Sequence, residues 1–547
     1  MFEVFEDISV LVVDDAPPIL SVVKIMLAKA GVKERNIVLT KSAKLALAAT
    51  TDRRFDVIIA DFNLGEGLNG KQFYEELIHY GYLNDDAVFM LVSGDRSAAT
   101  IRPIIELRPD EYLLKPFTAI DLKQRILKAI NRKRVLAPLC KADRELEAEY
   151  GLKLCDEIQP FNREYFFEIE QFRTTFLSML SMHDEAKKSF EMILDKKQFD
   201  WAKLGLANSL TYLGDHGQAD EIINGLLNTI PNSTCVQTEA AKINLIRHKI
   251  PTAISHLSVA SKLTPGNSER ELVIANLCLS VEDYTQALHH YRLYIEINKQ
   301  TFRNNMFSKI NLIRSMLYFY SADPSDDKLL EEIVSNVTSL EEHSDGKNFD
   351  EETLILAHLS LIKKDYRTAM SILKEVYAAK SLRHFYDLYH FAWLLNFVGM
   401  EEEFKYAIEA CLESLRIERS QLLMTSKIAM AKELKQRNSK KKAWISQQYE
   451  VIKNKNESPR VVLETCIMIN KSFPLVKIIC VQIIALLTKT WPDKMGGRQV
   501  LALIERCDTV IRQLYSEQEL KELKYQAYYD YSVTKAKRSV MAAMNAQ

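Results

Sequence analysis

The chain has 547 residues, 27% of them charged and 47% apolar, with a formal net charge of −1. That length exceeds one ordinary core, so about two or three domains are expected, and the near-zero balance excludes a bulk field that would draw the whole chain to nucleic acid or anionic lipid. The 16 Gly and 14 Pro argue for helix-rich structure, and the eight cysteines at 140, 155, 235, 278, 411, 466, 480 and 507 form no CxxC, which excludes a disulfide frame or zinc site and reads as reduced thiols in a cytoplasmic protein.

Met1-Phe2-Glu3 opens an acidic segment and not a signal peptide. Residues 1–133 then alternate short apolar runs with amphipathic stretches. "ISVLVV" (8–13), "IVLT" (37–40), "FDVIIA" (55–60), "AVFMLVS" (87–93) and "EYLLK" (111–115) read as strands. Helical patterns lie between them at about 17–30, 42–50, 70–80, 97–107 and 118–132. Strands this apolar are covered on both faces, which predicts a doubly wound α/β domain with a five-stranded parallel sheet. Ligands of such sheets bind outside the carboxyl ends of the strands. Those ends carry Asp14-Asp15, Asp61, Ser93 and Lys115. Adjacent carboxylates repel unless something neutralises them. Three in one cleft call for a hard cation with oxygen ligands, and Mg²⁺ suits that set. A carboxylate beside such an ion can attack phosphorus, and the lysine and hydroxyl can hold the transferred oxygens.

The motifs "VVDD", "IIADFNL", "LVSGD" and "EYLLKPF", in this order at four strand ends, resemble the receiver domain of bacterial two-component response regulators over residues 5–133. The resemblance implies that Asp61 is the phosphoacceptor. It implies that Asp15, Asp61 and the backbone carbonyl of Asn63 bind Mg²⁺ directly, with Asp14 acting through water. Ser93 would hydrogen-bond the phosphoryl group, Lys115 would pair with it, Tyr112 would be the aromatic switch, and Lys115-Pro116 would be cis. A histidine kinase or phosphotransfer protein is the implied donor. The chain departs from the family at Gly65, where a proline is usual, and in a "GEGLNG" loop one residue longer than usual. Pro103 is expected to kink or shorten the fourth helix, which puts in doubt the dimer that many receivers form through that face.

"NRKRVLAPLCKADRELEAEYGLK" follows; Arg132, Lys133 and Arg134 suit a helix C-terminus, and Pro138 is expected to break the helix, leaving a helical linker over 134–160. From Cys140 long amphipathic helices take over. Ala219, Ala253 and Ala287 are spaced 253 − 219 = 34 and 287 − 253 = 34; Ala207, Ala241 and Ala275 repeat the interval, as do Pro231 and Pro265. A 34-residue helix–turn–helix unit is the tetratricopeptide signature, and it predicts an α-helical solenoid over 161–415 whose concave surface binds an unidentified protein partner. Residues 299–345 read as a divergent helical segment. "KQRNSKKKAW" (435–444) reads as a solvated basic loop, and 416–547 as helices that continue or cap the solenoid. The most apolar window, 474–487, holds Lys477 and Gln482 and is too short to span a bilayer, so no membrane insertion is expected.

Neither a DNA-reading helix-turn-helix nor a cyclic-dinucleotide enzyme motif follows the receiver. The architecture resembles response regulators with tetratricopeptide output, of the VieB type. The expectation is a phosphorylation-controlled adaptor, not an enzyme beyond its own phosphorylation and dephosphorylation. The alternatives are a phosphate sink that drains a kinase, and a nucleic-acid-binding regulator, which the isolated basic clusters disfavour.

Overall fold

A computed structural model describes residues 3–343, 350–454 and 456–545. The chain divides into two compact units, residues 1–274 with 293–305, and residues 275–292 with 306–547.

After a single helical turn, Glu3–Glu6, the first unit opens with β1 (Val10–Val13), α1 (Pro17–Ala30), β2 (Ile37–Thr40), α2 (Ala43–Asp52), β3 (Val57–Asp61), α3 (Gly70–His79), β4 (Val88–Ser93), α4 (Ala98–Leu107), β5 (Glu111–Leu114) and α5 (Ala119–Arg144). The strands pair in parallel in the order β2-β1-β3-β4-β5. Alternation along each strand sends side chains to opposite faces. Val10, Val12, Val57, Ile59, Val88 and Met90 pack with Leu20 and Leu27 of α1 and Leu122 and Ile126 of α5. Leu11, Val13, Ile58, Ala60, Phe89 and Leu91 pack with Ala46 of α2, Phe73 and Leu77 of α3, and Ile104 of α4. Both faces are therefore covered, which is why the strands can be so continuously apolar.

One expectation about proline is corrected, that Pro138 breaks its helix. Helix α4 runs through Pro103, and α5 runs through Pro138 for 26 residues, so neither helix stops there. A proline removes one backbone donor; in α5, Leu136, Leu139 and Ala142 are buried on either side of Pro138 and bind that turn into the core. Leu136, Leu139, Ala148, Leu154 and Phe176 form one cluster that joins α5 to the next helices.

The rest of the unit is built of helices in antiparallel pairs: α6 (Ala148–Ile158), α7 (Phe166–Met179), α8 (His183–Lys196), α9 (Asp200–Tyr212), α10 (His216–Thr229), α11 (Thr234–Ile246) and α12 (Ile250–Leu263), then α13 (Ser268–Ser280) and α14 (Tyr284–Ile297), in which the division between units falls. First helices begin at 200, 234 and 268, and second helices at 216, 250 and 284, so the period is 234 − 200 = 268 − 234 = 34 in both. Ala207, Ala241, Ala275, Ala219, Ala253 and Ala287 are all fully buried. At each turn one residue adopts left-handed backbone: Gly214 (φ 85°), His248 (φ 58°) and Glu282 (φ 62°), again 34 apart.

The second unit continues with α15 (Met306–Ala322), α16 (Asp327–His343), α17 (Asp350–Ile362), α18 (Tyr366–Ala379), α19 (Phe385–Val398) and α20 (Glu401–Glu413). The divergent segment is thus one further pair, lengthened to 17 residues per helix. Then come α21 (Gln421–Lys453), α22 (Pro459–Ser472), α23 (Lys477–Lys489), α24 (Gly497–Leu514), α25 (Glu517–Glu522) and α26 (Tyr525–Asn545). The basic run 435–444 lies inside α21; it is helix and not a loop. No described helix is long and apolar enough to cross a membrane.

Candidate functional site

The carboxyl ends of β1, β3, β4 and β5 bring the expected residues to one edge. Asp14 is buried directly after β1, and its Oδ1 accepts the backbone N–H of Ala16 at 2.9 Å, which fixes the carboxylate. Asp61 closes β3. Lys115 follows β5 and donates from Nζ to Asp14 Oδ2 and to Asp61 Oδ1, both at 2.7 Å. Asp61 Oδ2 accepts the N–H of Asn63 at 3.1 Å. Burial pushes the Asp61 carboxyl above its ordinary value, with Lys115 opposing that and the Asp14 charge adding to it. Burial works against the charge of Lys115, but its two carboxylate partners outweigh it and raise its pKa. The Lys115-Pro116 bond is cis.

Ser93 is buried at the end of β4, with its Oγ accepting the N–H of Asp95 at 3.1 Å. Asp95 is tied in turn to Ser97 (2.7 Å and 2.8 Å) and Thr100 (2.6 Å), and these bonds, Thr100 first, hold its carboxyl below the usual range. Tyr112 stands outward with 38% of its surface exposed.

Asp15 is exposed at the mouth of the site. Gly65 has φ +70°, and a Cβ there would stand 3.0 Å from Asp15 Oδ2. A side chain at 65 would therefore fill the space beside that carboxylate, which accounts for glycine where the family has proline. Among the described residues no three His, Cys, Asp or Glu side chains cluster closely enough to enclose a metal ion by themselves. The expected direct set needs only the Asp15 and Asp61 carboxylates and the Asn63 carbonyl, with water completing the shell. That division suits Mg²⁺, which keeps several waters. The residues present fit such an ion.

Sequence reasoning missed a second feature of this unit. The receiver-like part packs through α3 and α4 on residues 263–270 and 297–303 of the same unit. Gln72, which accepts the Asn69 N–H in the capping box of α3 (3.1 Å), also donates to the Ile297 carbonyl at 2.9 Å. Glu76 accepts the Phe302 N–H at 2.7 Å, Glu75 pairs with Arg303 at 2.5 Å, and His79 stacks on Phe302 with ring centroids 3.6 Å apart. On α4, Glu106 pairs with Arg270 and accepts from Asn267 at 2.9 Å. The loop that carries Asn63 and Gly65 also reaches this contact, since a Cβ on Gly67 would lie 3.4 Å from Gln300 Oε1. Helices α3 and α4 are more polar on their outer faces than a free surface requires, but each such residue looks solvated without its distant partner. No local signal reveals the contact.

The family model for the response regulator receiver domain matches residues 10–127. A curated relative, the transcriptional regulatory protein YvrH of Bacillus subtilis (strain 168), is 29% identical over 127 residues, which are 23% of this chain and 51% of that protein; the chain thus spans about half the length of this relative. A solved response regulator receiver domain protein from Clostridium thermocellum is 27% identical and is covered over 98% of its length by 24% of this chain, with a TM-score of 0.21. The solved P58(IPK) TPR domain is 16% identical, with 63% of this chain over 99% of that one and a TM-score of 0.20. The N-terminal domain of this chain is a response regulator receiver domain.

Proposed function

We propose that the chain is a phosphorylation-controlled adaptor, with a receiver that takes a phosphoryl group on Asp61 and a tetratricopeptide-like helical region that binds a protein partner. The observation that carries the reading is the Asp14–Lys115–Asp61 constellation at the strand ends of a matched receiver domain. A histidine kinase or phosphotransfer protein is the donor: one Asp61 carboxylate oxygen forms the new O–P bond as the donor's P–N bond breaks, and the electron pair leaves with the imidazole. Mg²⁺ held by Asp15, Asp61 and the Asn63 carbonyl, with Asp14 through water, would neutralise the charge that gathers on the phosphoryl oxygens. Lys115 Nζ, already within 2.7 Å of Asp61, then pairs with a phosphoryl oxygen, and Ser93 Oγ donates to another after leaving its Asp95 partner.

The helical region supports the second half of the reading through its 34-residue period and its buried alanines, the arrangement by which stacked helix pairs build an extended binding surface. The packing of α3 and α4 on residues 263–270 and 297–303 supports control of that surface by the receiver.

The test is labelling with radioactive acetyl phosphate and with a phosphorylated histidine kinase. Wild type incorporates label in the presence of Mg²⁺, whereas Asp61→Asn incorporates none and keeps its circular dichroism. Undiminished labelling of Asp61→Asn would remove the assignment. Asp15→Asn should weaken Mg²⁺ more than Asp14→Asn, by calorimetric titration.

A further inference from the structure

Helix α21 is unlike every other helix of the second unit. It is 33 residues long, against 13 to 17 for each of α15–α20. Its buried side chains are Ser426, Lys427, Met430, Ala431, Leu434 and Asn438, a stripe at four-residue spacing that is half polar. The stripe faces α13 and α19, the first helices of two pairs. Ser426 Oγ accepts from Asn276 of α13 at 3.1 Å, and Arg437 donates to the Ser280 carbonyl at the end of that helix at 2.7 Å. Asn438 donates to Asn396 of α19 at 3.0 Å, and Lys427 lies over the rings of Phe385 (5.6 Å) and Tyr386 (5.0 Å), also on α19. Two helix pairs, α15–α16 and α17–α18, lie between the pairs of α13 and α19 in the chain. One straight helix can reach both only if the first helices curve around it, so α21 lies along the inner face of the arc.

That face is polar where a permanent core would be apolar. Among the first helices, Arg314 of α15 and Asp387 of α19 pair at 2.5 Å and are almost fully buried. His358 bridges Ser321 (2.8 Å) and His390 (2.9 Å), both bonds running between first helices. Asn276 Oδ1, Tyr318 Oη, Asp387 Oδ2 and His390 Nδ1 are buried without a hydrogen-bond partner. Buried polar atoms are nearly always satisfied; Asn276 Oδ1 stays unmet although the amide nitrogen of the same residue donates to Ser426 of α21, and α21 buries few apolar groups of its own. Its cations instead meet acids at the edge of the groove, Lys427 with Glu418 (2.6 Å), Arg437 with Glu282 (3.4 Å) and Lys442 with Glu401 (2.6 Å).

We propose that α21 is an intrachain stand-in for a protein ligand, and that the groove lined by α13, α15, α17 and α19 receives a basic helix of the same chemistry from a partner. This deepens the protein-binding half of the proposed function and rests on it. The partner helix presents small, polar or flexible apolar side chains at i, i+4, i+8 and i+12, as Ser426, Met430, Leu434 and Asn438 do. It carries one cation for the Phe385–Tyr386 ring pair and a second for the carbonyl end of α13.

The probe is a fluorescent peptide of residues 421–453, titrated into the full chain and read by anisotropy. Arg437→Ala removes two of the bonds that hold α21 in place, and that variant should bind the peptide at least tenfold more tightly than wild type. A peptide carrying Met430→Asp and Leu434→Asp should bind neither protein. Equal affinity of wild type and Arg437→Ala for the peptide, or equal binding of the aspartate peptide, overturns the proposal. Dimers of Arg437→Ala by light scattering that disappear on adding peptide would make the occupant a second copy's α21 and overturn the foreign-helix assignment. Hydrogen exchange on unaltered protein gives a second reading. Amides of 424–438 should exchange at least tenfold faster than those of 387–396, through an opening short of global unfolding; equal rates overturn the proposal. No phosphoryl donor enters these measurements, so loss of Asp61 labelling and loss of groove binding are separate failures.

Discussion

Glu106 and the pair His358–His390 show how single side chains hold the two units to different conditions. Arg270 is 3% exposed and keeps the Ala260 (2.9 Å) and Thr264 (3.2 Å) carbonyls as partners when Glu106 is removed, so the loss is of a charge-assisted bond and not of all satisfaction. Glu106 is itself partly exposed, which discounts the effect; Glu106→Ala should cost about 1–2 kcal/mol. A double-mutant cycle with Arg270→Met in urea should return a coupling of about 0.5 kcal/mol or more, and additivity would mean that the pair does not form. The histidines act through pH. Burial pushes the His358 imidazole down to about 3 and His390 well below its ordinary 6.5, so the folded chain holds both neutral. The unfolded chain takes up protons below pH 6.5 and the folded chain does not, so stability falls as pH falls through that window. Each histidine accounts for about 2 kcal/mol between pH 6.5 and 5. Unfolding free energies of wild type and His358→Gln/His390→Gln should converge at acid pH. Parallel curves would show that these groups titrate in the fold.

Among the elements, small residues at the helix crossings set how closely neighbours approach. Ala253 is fully buried on α12 against its neighbours, and Ala253→Leu should overpack that crossing by about 1–3 kcal/mol, visible as a lower melting temperature; unchanged melting would put the residue elsewhere. These alanines, and the prolines after α10 and α12, are what made the repeat legible in the sequence, since a period in small residues survives when everything around it varies. The five strands were legible for a related reason: a strand covered on both faces has no polar alternation to confuse it with a helix. Turn positions were less so. Gly214 announces left-handed backbone, but His248 and Glu282 occupy the equivalent conformation without a glycine to mark it. Pro138 misled, because local helix-breaking is outweighed when side chains on both sides of the proline are held by the core. Helix α21 was read as a loop over 435–444 because its charges look solvated until their partners on distant helices are known. The acid pocket was legible because its residues sit at strand ends, which the sheet order brings together whatever the loops do.

Over the whole molecule, phosphorylation can alter binding only by differing interaction with two states. One route for such a difference is the end of α5, which runs from the receiver into the first helix pairs through Leu136 and Leu139. The first unit offers a shorter one: the loop beside Asp15 comes near Gln300 at Gly67, and α3 and α4 engage residues 263–270 and 297–303 directly. Hydrogen exchange of the full chain with and without beryllofluoride should therefore change protection at 263–270 and 297–303, on a coupling scale of about 1–3 kcal/mol. Changes confined to residues 1–127 would leave the receiver uncoupled. Helix α5 has a consequence for how this receiver can be separated from the rest. Its 26 residues form a rod of about 39 Å that belongs equally to the sheet, through Leu122 and Ile126, and to the first helix pairs, through Leu136 and Leu139. A receiver cut at 133, where the sequence motif ends, severs that rod and leaves its apolar second half behind with the helix pairs, whereas a cut after Arg144 keeps the rod whole but strips Leu136 and Leu139 of their cover. Grafting this receiver onto another output domain thus demands a host that supplies a docking face for the second half of α5, so the portable piece is not a domain followed by a string but a domain with a handle.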